Sequence, residues 1–123
     1  MEVQNHTIEQ QLKDAGYLTT RHENGFISFE FVIPTGKFEG QKIEIALDAP
    51  QFPMLPPSGP YIKPHLLPFN APSNVHPYGG IHDRKMPTEE FQYWSRPCKA
   101  WDTCERKDIK TYIAFLRTLF DFQ

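Results

Sequence analysis

The order of apolar and polar residues divides this chain into a short helix, a pair of strands, a long aperiodic stretch and a final helix. Ile8 and Leu12 stand four apart among polar residues, which predicts a helix over residues 7–15 stopped by Gly16. Asn24-Gly25 marks a turn. From Phe26 to Ile33 the pattern alternates, with Ile27, Phe29, Phe31 and Ile33 on one face and Ser28 and Glu30 on the other. After a turn at Pro34-Thr35-Gly36, Phe38 to Asp48 reads as a second strand. Ile43, Ile45 and Leu47 face one way there, and Lys42, Glu44 and Asp48 the other. Two adjacent strands with a short turn imply an antiparallel hairpin.

A short extended piece follows at Tyr61-Ile62. Residues 64–100 carry few periodic signals and hold Pro64, Pro68, Pro72, Pro77, Pro87 and Pro97. A compact domain spends that much irregular chain mainly on functional segments, and Phe69, Tyr78, Phe91, Tyr93 and Trp94 argue against disorder. Asp102-Thr103-Cys104-Glu105 has the form of a capping box and sets the expected start of the last helix. Ile109, Tyr112, Ile113, Leu116 and Phe120 then give one apolar stripe, suited to packing on a sheet. The expected architecture is α+β: one domain over residues 1–123, with an antiparallel sheet of about four strands and helices on one side and at its ends.

Composition narrows the function classes. Hydrophobic residues make up 39% and charged residues 23%, the balance of a globular protein. A net charge of −2 with no run of like charges argues against a nucleic-acid partner, because phosphate binding needs clustered Lys and Arg. No apolar stretch approaches the roughly 18 residues of a membrane span, and the polar start lacks a signal-peptide core, so a cytoplasmic protein without membrane contact is expected. Cys98 and Cys104 lie six apart, which is neither a CxxC redox pair nor a zinc site. His65, His76 and His82 are spaced by 11 and 6, matching no familiar metal-ligand pattern.

The segment Gly36 to Pro64 runs GKFEGQKIEIALDAPQFPMLPPSGPYIKP. Its PQFPMLPP element, Pro50 to Pro57, is similar to the FP-x-x-YP-x-x-PP element of the ubiquitin-conjugating enzyme superfamily. The order of elements over residues 7–120 also resembles that family's fold. His76-Pro77-Tyr78 is similar to the family's HPN motif, with Tyr78 where an Asn supports the oxyanion of the transferring carbonyl. Counting forward from His76 places Met86 at the position of the catalytic cysteine, and a thioether cannot hold an acyl group. Counting back from Trp101, which precedes the expected helix start at Asp102, lands near Tyr93, with Ser95 two residues on. The stretch FQYWSRPCKAW resembles the WSR-containing tail of certain bacterial members, which occur with a ubiquitin-like protein, an activating enzyme and a peptidase.

The resemblance implies a protein that takes the C-terminus of a ubiquitin-like protein from an activating enzyme and passes it to an amine. It implies no cofactor of its own, and a setting in antiphage defence. The nucleophile would be Ser95, forming an oxygen ester, or Cys98. Serine needs a base, and His76 and His82 are the candidates, with Asp83 beside His82 to orient an imidazole. Gln10, Gln11 and Lys13 on the first helix would meet the activating enzyme, while Trp94 and Arg96 would contact the modifier or that enzyme. Trp94 and Trp101 read first of all as core anchors. Met86 and Tyr78 favour the alternative, a non-catalytic binding module for a ubiquitin-like protein and its activating enzyme.

Overall fold

The computed structural model describes residues 5–67, 80–82 and 87–121. In chain order these form α1 (His6–Asp14), β1 (Thr19–Arg21), β2 (Ile27–Val32), β3 (Lys42–Asp48), β4 (Ser58–Lys63), β5 (Ile81–His82), β6 (Gln92–Trp94), a 3-10 turn at Trp101–Thr103 and α2 (Ile109–Asp121). The class is α+β. The sheet, however, has six strands in the order β1-β2-β3-β4-β6-β5, each neighbour antiparallel, rather than about four. The additional strands, β1, β5 and β6, are two or three residues long, too short to write a period-two pattern into the sequence.

The hairpin forms as its alternation requires. β2 and β3 pair from Ile27↔Leu47 to Val32↔Lys42, and Ile27, Phe29, Phe31, Ile43, Ile45 and Leu47 are buried on the face that carries both helices. Phe38 is not in a strand. It is buried within the connection, where Gly40 donates its N–H to Ile33 O and Gln41 to Phe38 O.

Gly16 ends α1 as expected, with a φ of +97° and the N–H of Tyr17 reaching back to Leu12 O. One expectation is corrected. α2 begins at Ile109, not directly after Asp102, which stands in the separate 3-10 turn and makes no side-chain cap. The helix is capped by Asp108, whose Oδ1 accepts the Thr111 N–H at 3.0 Å, and by Gln11 of α1, whose Oε1 accepts the Ile109 N–H at 2.8 Å. From there Ile109, Tyr112, Ile113, Leu116, Leu119 and Phe120 are buried against the sheet, with Phe120 stacked on Phe31. Each such side chain contributes on the order of 1.5–3 kcal/mol through burial.

The face of the sheet away from the helices holds a smaller cluster of Phe26, Ala46, Tyr61 and Phe91, with Tyr93 packed against it. The proline segment closes one end of the molecule. Phe52 packs on Trp101, and Trp101 Nε1 donates to Pro53 O at 2.9 Å. That bond ties the chain beyond β6 to the segment before β4. No helix among the described residues is long and apolar enough to cross a membrane.

Candidate functional site

β6 positions the residues on which the chemistry would rest. It is three residues long and is held on both sides, by β4 through Tyr61↔Tyr93 and Ile62↔Gln92, and by β5 through Ile81↔Trp94 and His82↔Tyr93. Inside the core its Gln92 bridges the neighbourhood, accepting Trp94 Nε1 at 2.8 Å and exchanging hydrogen bonds with both backbone groups of Leu67. Leaving those groups unpaired in the interior would cost about 1–3 kcal/mol each, so the end of β6 is firmly fixed.

Ser95 follows immediately. Its N–H donates to Gly80 O at 2.8 Å, and the N–H of Arg96 is shared between Trp94 O at 2.8 Å and Gly59 O at 3.2 Å. The side chain is half-buried, and its hydroxyl makes no hydrogen bond among the described residues. Gly80 lies across from it with a φ of +75°, and a Cβ there would come within 2.8 Å of Arg96 Nη1 and 3.2 Å of Ser95 O. The absence of a side chain at residue 80 is what lets the guanidinium lie against this turn. Arg96 is itself half-buried, stands over the Trp94 ring at 5.8 Å, and has its pKa lowered by that burial. Arg96 Nη1 donates to the Ser95 backbone O at 3.4 Å, which puts a cation on the same residue as the hydroxyl, the kind of charge that an incoming carboxylate or a developing oxyanion requires.

The candidate base His82 lies on β5, exposed, its ring 5.7 Å from that of Tyr93 on the helix-free face. The register sets it opposite Tyr93, and Ser95 lies two residues beyond, so no hydrogen bond joins His82 to Ser95. His76, Tyr78, Asp83 and Met86 lie outside the described residues. Cys98 is buried. Burial, aided by Cys104 nearby, pushes its thiol pKa up, and a bond from the Ala100 backbone only partly offsets this. A thiol so placed is protonated at neutral pH and poorly reached by an acyl donor.

Two of the residues expected to bind partners are engaged within the fold. Trp94 is fully buried and packs on Phe120, so it anchors the core and presents no surface. Gln11 spends its amide oxygen on the first turn of α2. Gln10 is exposed and bonded to Asp14 at 3.0 Å, and Lys13 is exposed and paired with Glu9 at 3.6 Å.

The helix-free face carries a polar chain that pattern reading did not single out. His22 Nε2 lies 2.9 Å from Ser28 Oγ, Ser28 donates to Glu44, and Lys63 joins Glu44 at 3.7 Å to Glu90 at 3.2 Å. The hydrogen bond to Glu90, followed by the Glu44 charge, raises the Lys63 pKa against the opposing effect of burial. Ser28 has no exposed surface, so this chain ties strands together and offers no nucleophile. The signal was present only as polar residues at alternating positions.

No family model, curated protein or solved structure matches this chain.

Proposed function

We propose that the chain is a conjugating-enzyme-like domain that accepts the C-terminus of a ubiquitin-like protein on Ser95. The observation that supports this reading is the placement of Ser95. It sits at the end of a pinned strand with a hydroxyl that makes no hydrogen bond among the described residues, a glycine opposite and the Arg96 guanidinium on its backbone carbonyl. In the reaction, Ser95 Oγ attacks the activated carbonyl carried by the activating enzyme. Its proton leaves to a base, and the enzyme's leaving group departs. An amine then attacks the ester, forming an amide and returning the hydroxyl. Arg96 would stabilise charge on the carbonyl oxygen in both steps.

A second reading rests on its own observation. No titratable side chain among the described residues lies within hydrogen-bond reach of Ser95 Oγ, and Cys98 is buried as a protonated thiol. This favours a binding module that holds the modifier or scaffolds its activating enzyme.

The test mixes the protein with activating enzyme, ATP and the ubiquitin-like partner and resolves the products on a denaturing gel. An adduct that resists thiol reductant, yields to base and vanishes in Ser95→Ala supports the oxygen ester. In Ser95→Cys the adduct becomes sensitive to reductant. An adduct lost with reductant and absent in Cys98→Ala moves the site to Cys98. Absence of any adduct leaves the binding module.

A further inference from the structure

At the opposite end of the sheet from Ser95, β1 leaves part of β2 uncovered. The two strands pair from Arg21↔Ile27 to Thr19↔Phe29 and stop there, while β2 continues to Val32. The direction of the unpaired groups follows from the bonds on either side. His22 donates its N–H to Phe26 O on the β1 side, and Ile33 donates its N–H to Gln41 O on the β3 side. Backbone groups alternate in direction along an antiparallel strand, so the even-numbered residues of β2 face β1 and the odd-numbered ones face β3. Val32 therefore turns its N–H and C=O toward a side on which no strand lies among the described residues.

That side is a notch of about 400 Å³, lined by Tyr17, Glu30, Val32, Pro34, Lys42 and Arg117 among others. Its walls come from both faces of the sheet edge. Arg117 of α2 and Tyr17 stand on the helix side, and Lys42, paired opposite Val32, belongs to the other. Two apolar side chains flank the opening in solvent, Leu18 at 85% exposure and Val32 at 56%. A second hollow, of about 290 Å³, continues past Tyr17 and Arg117 along α2 to Lys110. Lys42 has only a 4.0 Å pairing with Glu30, both largely in water, and neither Arg117 nor Lys110 enters an ion pair among the described residues. The notch is thus an open ladder with Arg117 on its helix side, and Lys42 facing Glu30 on the other.

We infer that this edge takes an extended acidic peptide segment of a partner, added as a short strand alongside Glu30–Val32 in line with β1. The main chain of the segment would meet the outward groups of Val32, as in strand addition to a free sheet edge. Alternate side chains of a strand fall on opposite faces. An apolar residue would therefore lie between Leu18 and Val32, while its acidic neighbours reach Arg117 and Lys110 on the helix side. Pro34 limits the ladder at one end and Leu18, next in register after Thr19↔Phe29, at the other, leaving room for about two or three residues at roughly 3.3 Å each. The inference does not depend on Ser95, from which β2 is separated by β3 and β4.

The probe is an acetylated, amidated peptide of alternating valine and aspartate, titrated into isotope-labelled protein and followed through its amide resonances. Saturable shifts centred on Leu18, Glu30 and Val32 are expected. N-methylation of alternate peptide amides, replacement of aspartate by lysine, and Arg117→Glu in the protein should each weaken binding by about tenfold or more, as loss of a main-chain bond or a charged contact does. The first two arms leave the protein unchanged, and a thermal melt checks that Arg117→Glu folds. Shifts scattered away from this edge, or a methylated peptide that binds as well as the parent, would overturn the inference. So would the absence of any saturable shift.

Discussion

Replacing Gly36 with alanine probes how α2 is fastened to the hairpin. Gly36 stands in the β2–β3 connection with a φ of +92°, against the last turn of α2. A Cβ there would fall closer than 3.0 Å to the Phe120 carbonyl oxygen, 3.1 Å from Asp121 Cα and 3.2 Å from Phe120 C. All three are backbone atoms, so no rotamer change relieves the overlap and the helix end must lift. Phe120, which is fully buried and stacked on Phe31, would lift with it. The left-handed backbone costs an alanine about 1–2 kcal/mol, and forcing packed backbone apart costs about 1–3 kcal/mol. The stiffer unfolded chain offsets about 0.4–1 kcal/mol of this. The net loss is about 2–4 kcal/mol, or about 6–20 °C in Tm for a chain of this size. Gly40→Ala is the control: its φ is +86°, but a Cβ meets nothing within 4 Å, so only the backbone effect remains. Thermal and urea melts followed by circular dichroism measure both. A loss at Gly36 no larger than at Gly40 would refute the close approach of α2.

Two further outcomes follow from buried polar groups. Glu9 is buried and bonded by Arg21 at 2.6 Å and Lys13 at 3.6 Å. Burial raises its pKa, but the Arg21 hydrogen bond and charge, with help from Lys13, leave it below the ordinary carboxylate value. A lowered folded pKa contributes stability that is present above the unfolded value of about 4.3 and is lost as pH falls through the folded one. Glu9→Gln should therefore cost about 1–3 kcal/mol in urea melts at pH 7, and the gap from the parent should close below pH of about 4; an equal gap at both ends of the range would contradict this. The Tyr112 hydroxyl is buried without a hydrogen-bond partner among the described residues, and burial pushes its pKa up. Tyr112→Phe should raise stability by about 1 kcal/mol, and a destabilised variant would mean that the hydroxyl has a partner after all.

The hairpin was legible because both strands run long enough to alternate, and one face of each is buried. β1, β5 and β6 were not, since strands of two or three residues are held by the strands they pair with rather than by their own pattern. The start of α2 was misread for a related reason. Asp102 has the form of a cap, but the helix start is set by Asp108 and by Gln11, whose amide meets Ile109 from 98 residues away. Trp94 illustrates a different limit. An indole in an irregular stretch reads as anchor or as contact surface, and only the Gln92 amide beneath it and Phe120 beside it decide. For the candidate site, Ser95 and Arg96 were named by counting from a helix start that lies elsewhere. The glycine opposite, and the commitment of Cys98 to the interior, depend on packing.

Gln92 and Ser95 stand three residues apart, and between them they secure Leu67 on one side and Gly80 on the other. Leu67 and Gly80 are thus both held by one three-residue strand and the residue that follows it. A substitution in β6 that removes the Gln92 amide should loosen the Leu67 attachment, and with it the strand end from which Ser95 and its bond to Gly80 follow.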